Sequence, residues 1–354
     1  MRCVYLVSHG RADSIVVDAR PDPIPQPGEV VVKISAAALN RVDLYMRDSG
    51  KGITHNLPLI MGVDGVGEIV DASASSLRPG ERFALYPALY CGSCPYCLRG
   101  DPILCRSMRI LGEHRDGAFA EFVAVPSRNL FPVPDHLSDA EAAALITGHL
   151  TAWRMVRTQG AVGPGQTVLI HSVGGGVALA ALQLSAMAGA RVIATTTGTE
   201  KLEHARTLGA AVIDYRTDNV VETVLDLTAG TGVDVVIDNV GEATWGQSLR
   251  CLARGGRLVT CGATTGAFPP ADLQRVFIRQ LRIQGSTLGN PGEFAALLAA
   301  VAQHRLRPMI HARYSLEAAH EALGVLEAGQ QFGKIVLDIQ TRAEQSPPSS
   351  VNSA

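Results

Sequence analysis

A buried strand, a glycine turn and the start of a helix follow one another in the middle of the chain. The strand covers 167–171, and the turn and helix start read Gly174, Gly175, Gly176, Val177 and Ala178. Glycines at such a turn let the backbone approach a pyrophosphate closely, and the free N–H groups of the helix N-terminus favour its negative charge. A lone glycine cluster is also compatible with an ordinary tight turn, so the surrounding pattern decides between the two interpretations.

That surrounding pattern alternates strands with helices. Further strands are predicted at 191–195, 211–214, 233–238, 257–261 and 281–285, with helices at 180–188 and 200–208. This spacing is typical of right-handed βαβ crossovers, so we predict an α/β chain with a doubly wound parallel sheet that binds a dinucleotide. The first third is instead β-rich, with strands at 28–34, 82–86 and 118–125. After residue 292 the chain leaves the parallel sheet and ends with a helix at 293–303 and a strand at 334–338.

Length and composition limit the number of domains and the classes of function that the chain can have. The chain has 354 residues, 47% of them hydrophobic and 18% charged, which is enough for two domains. The net charge of −2 without a basic run gives no support to a nucleic-acid partner. No secretion signal and no run of about 18 apolar residues is present, so we predict no membrane contact and a cytoplasmic location. The Ser/Pro/Asn-rich tail at 341–354 is predicted to be disordered.

The residues at the end of the second strand of the parallel sheet should determine which of the two nicotinamide dinucleotides binds. An acid there would bond the adenosine ribose 2′-OH and repel a 2′-phosphate, but the first acid is Glu200. The residues that suit a phosphate are Thr196, Thr197, Lys201 and Tyr215. We therefore expect NADP(H), with NAD(H) as the alternative. A further alternative is that Lys201 and the neighbouring Arg216 are ordinary solvated charges.

Four cysteines lie within one short window. They follow the spacing C-x2-C-x2-C-x7-C and are Cys91, Cys94, Cys97 and Cys105. Four thiolates complete a tetrahedral shell around Zn²⁺ and leave no open position, which is typical of a structural site and not of a catalytic one. We therefore predict one structural Zn²⁺ in the loop 91–105, against the alternative of surface cysteines with no role.

These features together resemble the medium-chain dehydrogenase/reductase superfamily over residues 1–340. The further markers are the segments 40–47 (NRVDLYMR), 62–67 (GVDGVG), 238–241 (DNVG) and 333–336 (GKIV). The resemblance implies a GroES-like β-rich domain formed by 1–130 and 288–340, and a Rossmann domain at 131–287. It places the active site in the cleft between them. It also implies that Asn239, Gly262 and Ala263 flank the nicotinamide and that Phe332 and Lys334 lie near the cofactor.

The same resemblance bears on a catalytic metal. Zinc alcohol dehydrogenases of this superfamily hold it with a Cys, a His and usually a second Cys. The matching positions here are Asn40, Val63 and, less closely, Thr147. None of these replaces a thiolate or an imidazole, so we predict that the catalytic zinc is lost while the structural loop is kept. Asp64 matches an acid that supports the metal site in the zinc enzymes, and here we expect it to hold local structure.

The segment around Asn40 is similar to the quinone oxidoreductase/zeta-crystallin branch, with Gly50 displaced by one position. In that branch hydride passes from NADPH to a quinone or to an activated double bond. Tyr45 is the candidate for supplying the proton, and Asn40 for orienting the substrate or the nicotinamide. Packing roles remain the alternative for both residues. His149 is predicted either to act as an acid or base or to be a buried, hydrogen-bonded imidazole.

We therefore predict an NADPH-dependent oxidoreductase that reduces a small electrophile, either a quinone or an α,β-unsaturated carbonyl, without a catalytic zinc. One alternative is an alcohol dehydrogenase or carbonyl reductase that uses the acid/base chemistry of Tyr45 and His149. Another is an NADPH-binding protein without catalysis. The resemblance further implies a homodimer or homotetramer joined through the edges of the Rossmann sheets.

Overall fold

The computed structural model describes residues 1–10, 12–71 and 80–339, so the predicted disordered tail lies outside the described residues. The strands of the two chain ends are β1 (Arg2–Leu6), β2 (Ile15–Ala19), β3 (Glu29–Ala38), β4 (Leu59–Ile60), β5 (Asp64–Asp71), β6 (Arg82–Leu85), β7 (Ala88–Leu89), β8 (Arg109–Ile110), β9 (Phe122–Pro126), β10 (Leu130–Pro132), β17 (Ile310–Ser315) and β18 (Lys334–Asp338). Between them lie β11 (Thr167–Ile170), β12 (Arg191–Thr196), β13 (Ala211–Asp214), β14 (Val233–Asp238), β15 (Leu252–Thr260) and β16 (Arg282–Gly285).

The helices are α1 (Arg41–Asp48), α2 (Pro95–Leu98), α3 (Asp139–Trp153), α4 (Gly176–Met187), α5 (Thr199–Thr207), α6 (Val220–Leu227), α7 (Glu242–Cys251), α8 (Leu273–Arg279), α9 (Pro291–His304) and α10 (Ala319–Ala328). None of the helices in the described part of the chain is both long and apolar enough to cross a membrane.

The middle of the chain forms the predicted parallel sheet. Its six strands run in the order β13-β12-β11-β14-β15-β16, and every neighbouring pair is parallel. The strand order reverses beside β11, which is the place where an open α/β sheet leaves a crevice for a ligand. The predicted fold class, a GroES-like β-rich domain with a Rossmann-type parallel-sheet domain, is confirmed.

The two chain ends form one mixed sheet. Its main path is β10-β6-β5-β3-β18-β17, with β9 also paired to β3. Strand β18 pairs antiparallel with β3, so that Val336 lies opposite Ala38. A three-stranded sheet, β2-β1-β4, and the short pair β7-β8 complete this half.

Helix α3 joins the two halves. Ser138 and Glu141 form a capping box at its start, which fixes the point where the helix begins. The helix is buried along most of its length and packs against β3, β5 and α4. As a result one apolar core runs from Ala36 and Val66, through the alanines of α3, to Val168 in the parallel sheet.

Candidate active site

A cleft lies between the parallel sheet and the mixed sheet, at the predicted glycine turn. Of the predicted site residues, those that line it are Asn40, Gly174, Gly175, Gly176, Val177, Thr196, Thr197, Lys201, Tyr215, Asn239 and Lys334. Gly262 and Ala263 line a neighbouring cavity next to Trp245. Phe332 is buried, with its ring 5.0 Å from that of His204. The two halves of the molecule therefore bring most of the predicted cofactor residues together.

The glycine turn leaves room for a ligand backbone. Gly174 has φ +154°, a conformation that residues with a side chain rarely adopt. Helix α4 begins at Gly176, and its N-cap Gly175 offers no side-chain acceptor to the first N–H groups. These N–H groups therefore remain free for an anion such as a pyrophosphate.

Donors from three distant segments of the chain surround one carboxylate, that of Asp64. Asp64 is fully buried, and one of its oxygens accepts hydrogen bonds from the backbone N–H of Thr147 at 3.0 Å and from its hydroxyl at 2.5 Å. The other oxygen accepts from the Asn40 side-chain amide at 2.8 Å and from Lys334 Nζ at 3.2 Å. Asp64 therefore holds local structure, as we expected when the resemblance matched it to an acid beside the metal site of the zinc enzymes.

The side chains that donate to Asp64 also donate hydrogen bonds to other protein groups. Lys334 Nζ also donates to the Leu39 carbonyl and to Asn40 Oδ1, both at 2.7 Å, so all three of its N–H groups have acceptors. The second N–H of the Asn40 amide donates to the Ala38 carbonyl at 3.2 Å. The predicted role of Asn40 toward the substrate or the nicotinamide, and any hydrogen bond from Lys334 to the nearby cofactor, therefore require these bonds to be exchanged.

The other two predicted catalytic residues lie elsewhere. Tyr45 is 42% exposed on α1, and its hydroxyl donates to the Lys51 carbonyl and not into the cleft. His149 is 3% exposed, and its Nε2 lies 3.2 Å from Gln183 Oε1 on α4. Burial lowers the pKa of His149 to about 4, so the imidazole is neutral near pH 7. The placement of His149 favours the alternative of a buried, hydrogen-bonded imidazole, whereas the ring of Tyr45 is too exposed for a packing role in the core.

Two buried carboxyl groups, one of them hydrogen-bonded to Asn40, were given no role in the sequence analysis. Burial raises the pKa of Asp43 to about 7, although the backbone N–H of Asn40 donates to it at 2.7 Å and opposes that rise. Burial likewise raises the pKa of Glu113 to about 7. Asp43 could have been found from the capping-box spacing with Asn40, whereas nothing in the local sequence marks Glu113.

The four predicted cysteines meet at one point. Their sulfur atoms all lie within 4.8 Å of one another, and three of the Sγ–Sγ distances are 3.5, 3.6 and 3.8 Å. Four thiolates bound to Zn²⁺ at about 2.3 Å in a tetrahedron lie about 3.8 Å apart, so this arrangement fits a structural zinc. No other group of three or more His, Cys, Asp or Glu side chains within 1–10, 12–71 and 80–339 is placed to hold a metal.

Two family models match the chain. The alcohol dehydrogenase GroES-like domain matches 26–135, and the zinc-binding dehydrogenase model matches 176–303. The NAD-dependent alcohol dehydrogenase of Sulfurisphaera tokodaii is 31% identical, across 95% of this chain and 99% of that protein. An alcohol dehydrogenase of Geobacillus stearothermophilus is 30% identical, across 90% of this chain and 94% of that protein.

Solved structures agree with these matches. The crystal structure of an NAD-dependent alcohol dehydrogenase superposes with a TM-score of 0.91 at 38% identity, covering 96% of this chain and all of that one. The crystal structure of AibC superposes with a TM-score of 0.89 at 32% identity, covering 96% of each chain.

Proposed function

The chain belongs to the zinc-type medium-chain dehydrogenase/reductase superfamily, and from that premise we propose that it reduces conjugated carbonyl compounds, enones or quinones, without a catalytic zinc. Its membership makes it an oxidoreductase of the alcohol dehydrogenase type. The relatives compared above are alcohol dehydrogenases, so the quinone oxidoreductase branch stays a prediction from the motif around Asn40.

The proposal is carried by the chemistry of three positions. By the resemblance to the zinc alcohol dehydrogenases, Asn40, Val63 and, less closely, Thr147 match the metal ligands, and none of them offers a thiolate or an imidazole. The space around Asp64 is instead closed by hydrogen bonds from Asn40, Thr147 and Lys334. These contacts satisfy the carboxylate without a cation other than the lysine ammonium.

The choice of a conjugated acceptor follows from the donors that remain. A bound nicotinamide cofactor supplies the hydride, and a simple ketone that receives it becomes an alkoxide, whose charge is localised and needs an acid or a Lewis acid. A conjugated acceptor spreads the same charge over an enolate or a quinolate anion, which then takes up a proton. The N–H groups of Asn40 and Lys334 already donate to protein acceptors. A substrate whose anionic product needs less stabilisation from hydrogen-bond donors, such as a conjugated acceptor, is therefore favoured.

We further propose NADP(H) as the cofactor. The carboxylate that would repel a 2′-phosphate is absent from the end of β12, where Thr196 and Thr197 stand, and Lys201 and Tyr215 line the same part of the cleft. Two of the compared proteins are named NAD-dependent, which supports NAD(H) as the alternative. A comparison of the two KM values decides between them.

A second candidate function is the interconversion of alcohols and simple carbonyls. The names of the relatives favour it, since several are alcohol dehydrogenases. It requires an acid that the cleft would have to supply from groups other than the buried His149. Oxidation of alcohols with NADP⁺ at a rate comparable with enone reduction would establish it.

We also propose a homo-oligomer assembled through the parallel sheet. Within the described residues, β16 pairs with β15 alone, so its outer edge is open. Apolar side chains beside that edge are exposed, among them Leu273, Phe277 and Ile283. Light scattering on the purified protein tests this, and a monomer at micromolar concentration would contradict it.

The main experiment combines metal content with turnover. Protein purified without added metal should contain one zinc in the cysteine cluster, and NADPH oxidation with an enone should exceed that with the matching saturated ketone. A chelator that strips any zinc outside the cysteine cluster should leave the rate unchanged. Turnover that needs such a zinc would overturn the proposal, and NADPH binding without turnover on enones, quinones or ketones would indicate a non-catalytic protein.

A further inference from the structure

Two histidines far apart in sequence meet in the turn after β1 and in the loop after α1. His9 Nε2 and His55 Nε2 lie 2.9 Å apart, and the two rings are almost perpendicular at 87°. The other nitrogen of each ring points to a backbone carbonyl. His9 Nδ1 lies 2.8 Å from the Met46 oxygen, and His55 Nδ1 lies 2.7 Å from the Ile53 oxygen.

These contacts fix the tautomers. A carbonyl oxygen only accepts hydrogen bonds, so the proton of each neutral ring must sit on Nδ1. Both Nε2 atoms then present lone pairs, and these face each other across 2.9 Å. Two acceptors at that distance repel unless a positive charge lies between them, either a proton or a metal ion.

We propose that His9 and His55 form a site for a divalent transition metal, separate from the cysteine cluster and from the cleft. Metal-binding histidines commonly donate their second ring N–H to a backbone carbonyl, which fixes the tautomer and the ring direction, and both rings here do so. The two Nε2 atoms are 2.9 Å apart. If each binds an ion at about 2.05 Å, the N–metal–N angle is about 90°.

That angle suits octahedral or square-planar geometry, which favours Ni²⁺ or Cu²⁺. An opening of the pair by about 0.4 Å would suit tetrahedral Zn²⁺. Water can complete the coordination shell, because His9 is exposed and His55 is partly exposed. A Cβ at Gly50 would lie 2.7 Å from His55 Cε1 and 3.1 Å from His9 Cε1, so this arrangement of the two rings leaves no room for a side chain at position 50.

The test uses the full chain without an affinity tag and with zinc in its cysteine cluster. Equilibrium dialysis against Ni²⁺ should show one Ni²⁺ per chain. The variants His9→Ala and His55→Ala should each weaken this binding by at least about tenfold, because each removes one of two protein ligands. His320→Ala is the matched control, since His320 is exposed on α10 and belongs to no such pair.

Two further measurements keep the outcome decisive. Ni²⁺ should raise the Tm of the wild type and of His320→Ala, but not that of His55→Ala, because only an ion bound to the folded state stabilises it. On the wild type alone, bound Cu²⁺ should show nitrogen couplings from two imidazoles by electron paramagnetic resonance. Absence of Ni²⁺ binding, or binding that persists in both variants, would overturn the proposal and leave a shared proton as the charge between the rings.

Discussion

Removal of the Lys334 ammonium should destabilise the protein strongly, because it leaves a buried carboxylate without its counter-charge. Lys334 is 5% exposed and Asp64 is fully buried, and the two atoms of the pair are 3.2 Å apart. In Lys334→Met the apolar stem of the side chain is kept, so the change isolates the charge. The Asp64 carboxylate then keeps only neutral donors, from Asn40 and Thr147.

The expected loss in the free energy of unfolding is set by the burial of the two charged groups and not by the distance between them. Loss of one partner of a buried ion pair typically costs about 3–5 kcal/mol, whereas an exposed pair contributes about 0–1 kcal/mol. Arg313→Met provides the matched control, because Arg313 and Asp338 pair between β17 and β18, in the same sheet as Lys334. That pair is closer, at 2.7 Å, but its side chains are 56% and 32% exposed.

Urea unfolding without cofactor measures both variants. We expect Lys334→Met to lower the free energy of unfolding by about 3 kcal/mol or more, and Arg313→Met by less than about 1 kcal/mol. The double variant Asp64→Asn/Lys334→Met should recover part of the loss, since it removes the uncompensated charge. Equal destabilisation by the two single variants would refute the argument that burial of the charge dominates.

Three other outcomes are expected. Lys201→Ala should raise the KM for NADPH by roughly tenfold and the KM for NADH much less, because a charge-assisted contact with the 2′-phosphate is lost. Arg206→Ala, which changes an exposed residue on the same helix, should alter neither KM. Equal effects of Lys201→Ala on both cofactors would contradict the assignment of NADP(H). Cys105→Ser should abolish zinc binding at the cluster and lower the Tm, while Cys3→Ala keeps the metal by elemental analysis. Burial raises the pKa of Glu113 to about 7, so its ionisation opposes folding increasingly as pH rises from about 4.5 to 7. Glu113→Gln should therefore match the wild type in urea unfolding at pH 4.5 and exceed it by up to about 3 kcal/mol at pH 8, and a constant difference at both pH values would show that the charge is not responsible.

The parallel sheet was predictable because its signals are local. Each strand is a short apolar run followed by a turn and a helix, so 167–171 and 191–195 were placed close to the observed β11 and β12. Helix α4 begins at Gly176, within the segment 174–178 that was predicted to hold the turn and the helix start, and Gly175 of the glycine turn is its N-cap. The spacing of the cysteine cluster likewise predicted the meeting of the four sulfurs, since they lie within 15 residues of one another in the chain.

The candidate site was less predictable because its contacts join distant segments. Asp64 meets Thr147 from 83 residues away and Lys334 from 270 residues away, and no local pattern encodes such pairs. The direction of the Tyr45 side chain could not be predicted from the sequence for another reason. Helix α1 has only eight residues, too few for periodicity to show which side faces the cleft. His149 lies on a helix that is buried almost all round, so its position could not separate the cleft from the core.

The two metal proposals must be tested together, because a count of two zinc ions per chain has more than one origin. The cysteine cluster offers four thiolates, so its zinc should survive dialysis against a chelator. The pair of His9 and His55 offers two protein ligands in contact with solvent, so an ion there should leave readily. A second zinc that is absent from His55→Ala, and whose loss leaves enone reduction unchanged, therefore agrees with both proposals. A second zinc that remains in His55→Ala and is needed for turnover is a catalytic zinc, and hydride transfer without a catalytic zinc would then be wrong whatever the histidine pair binds.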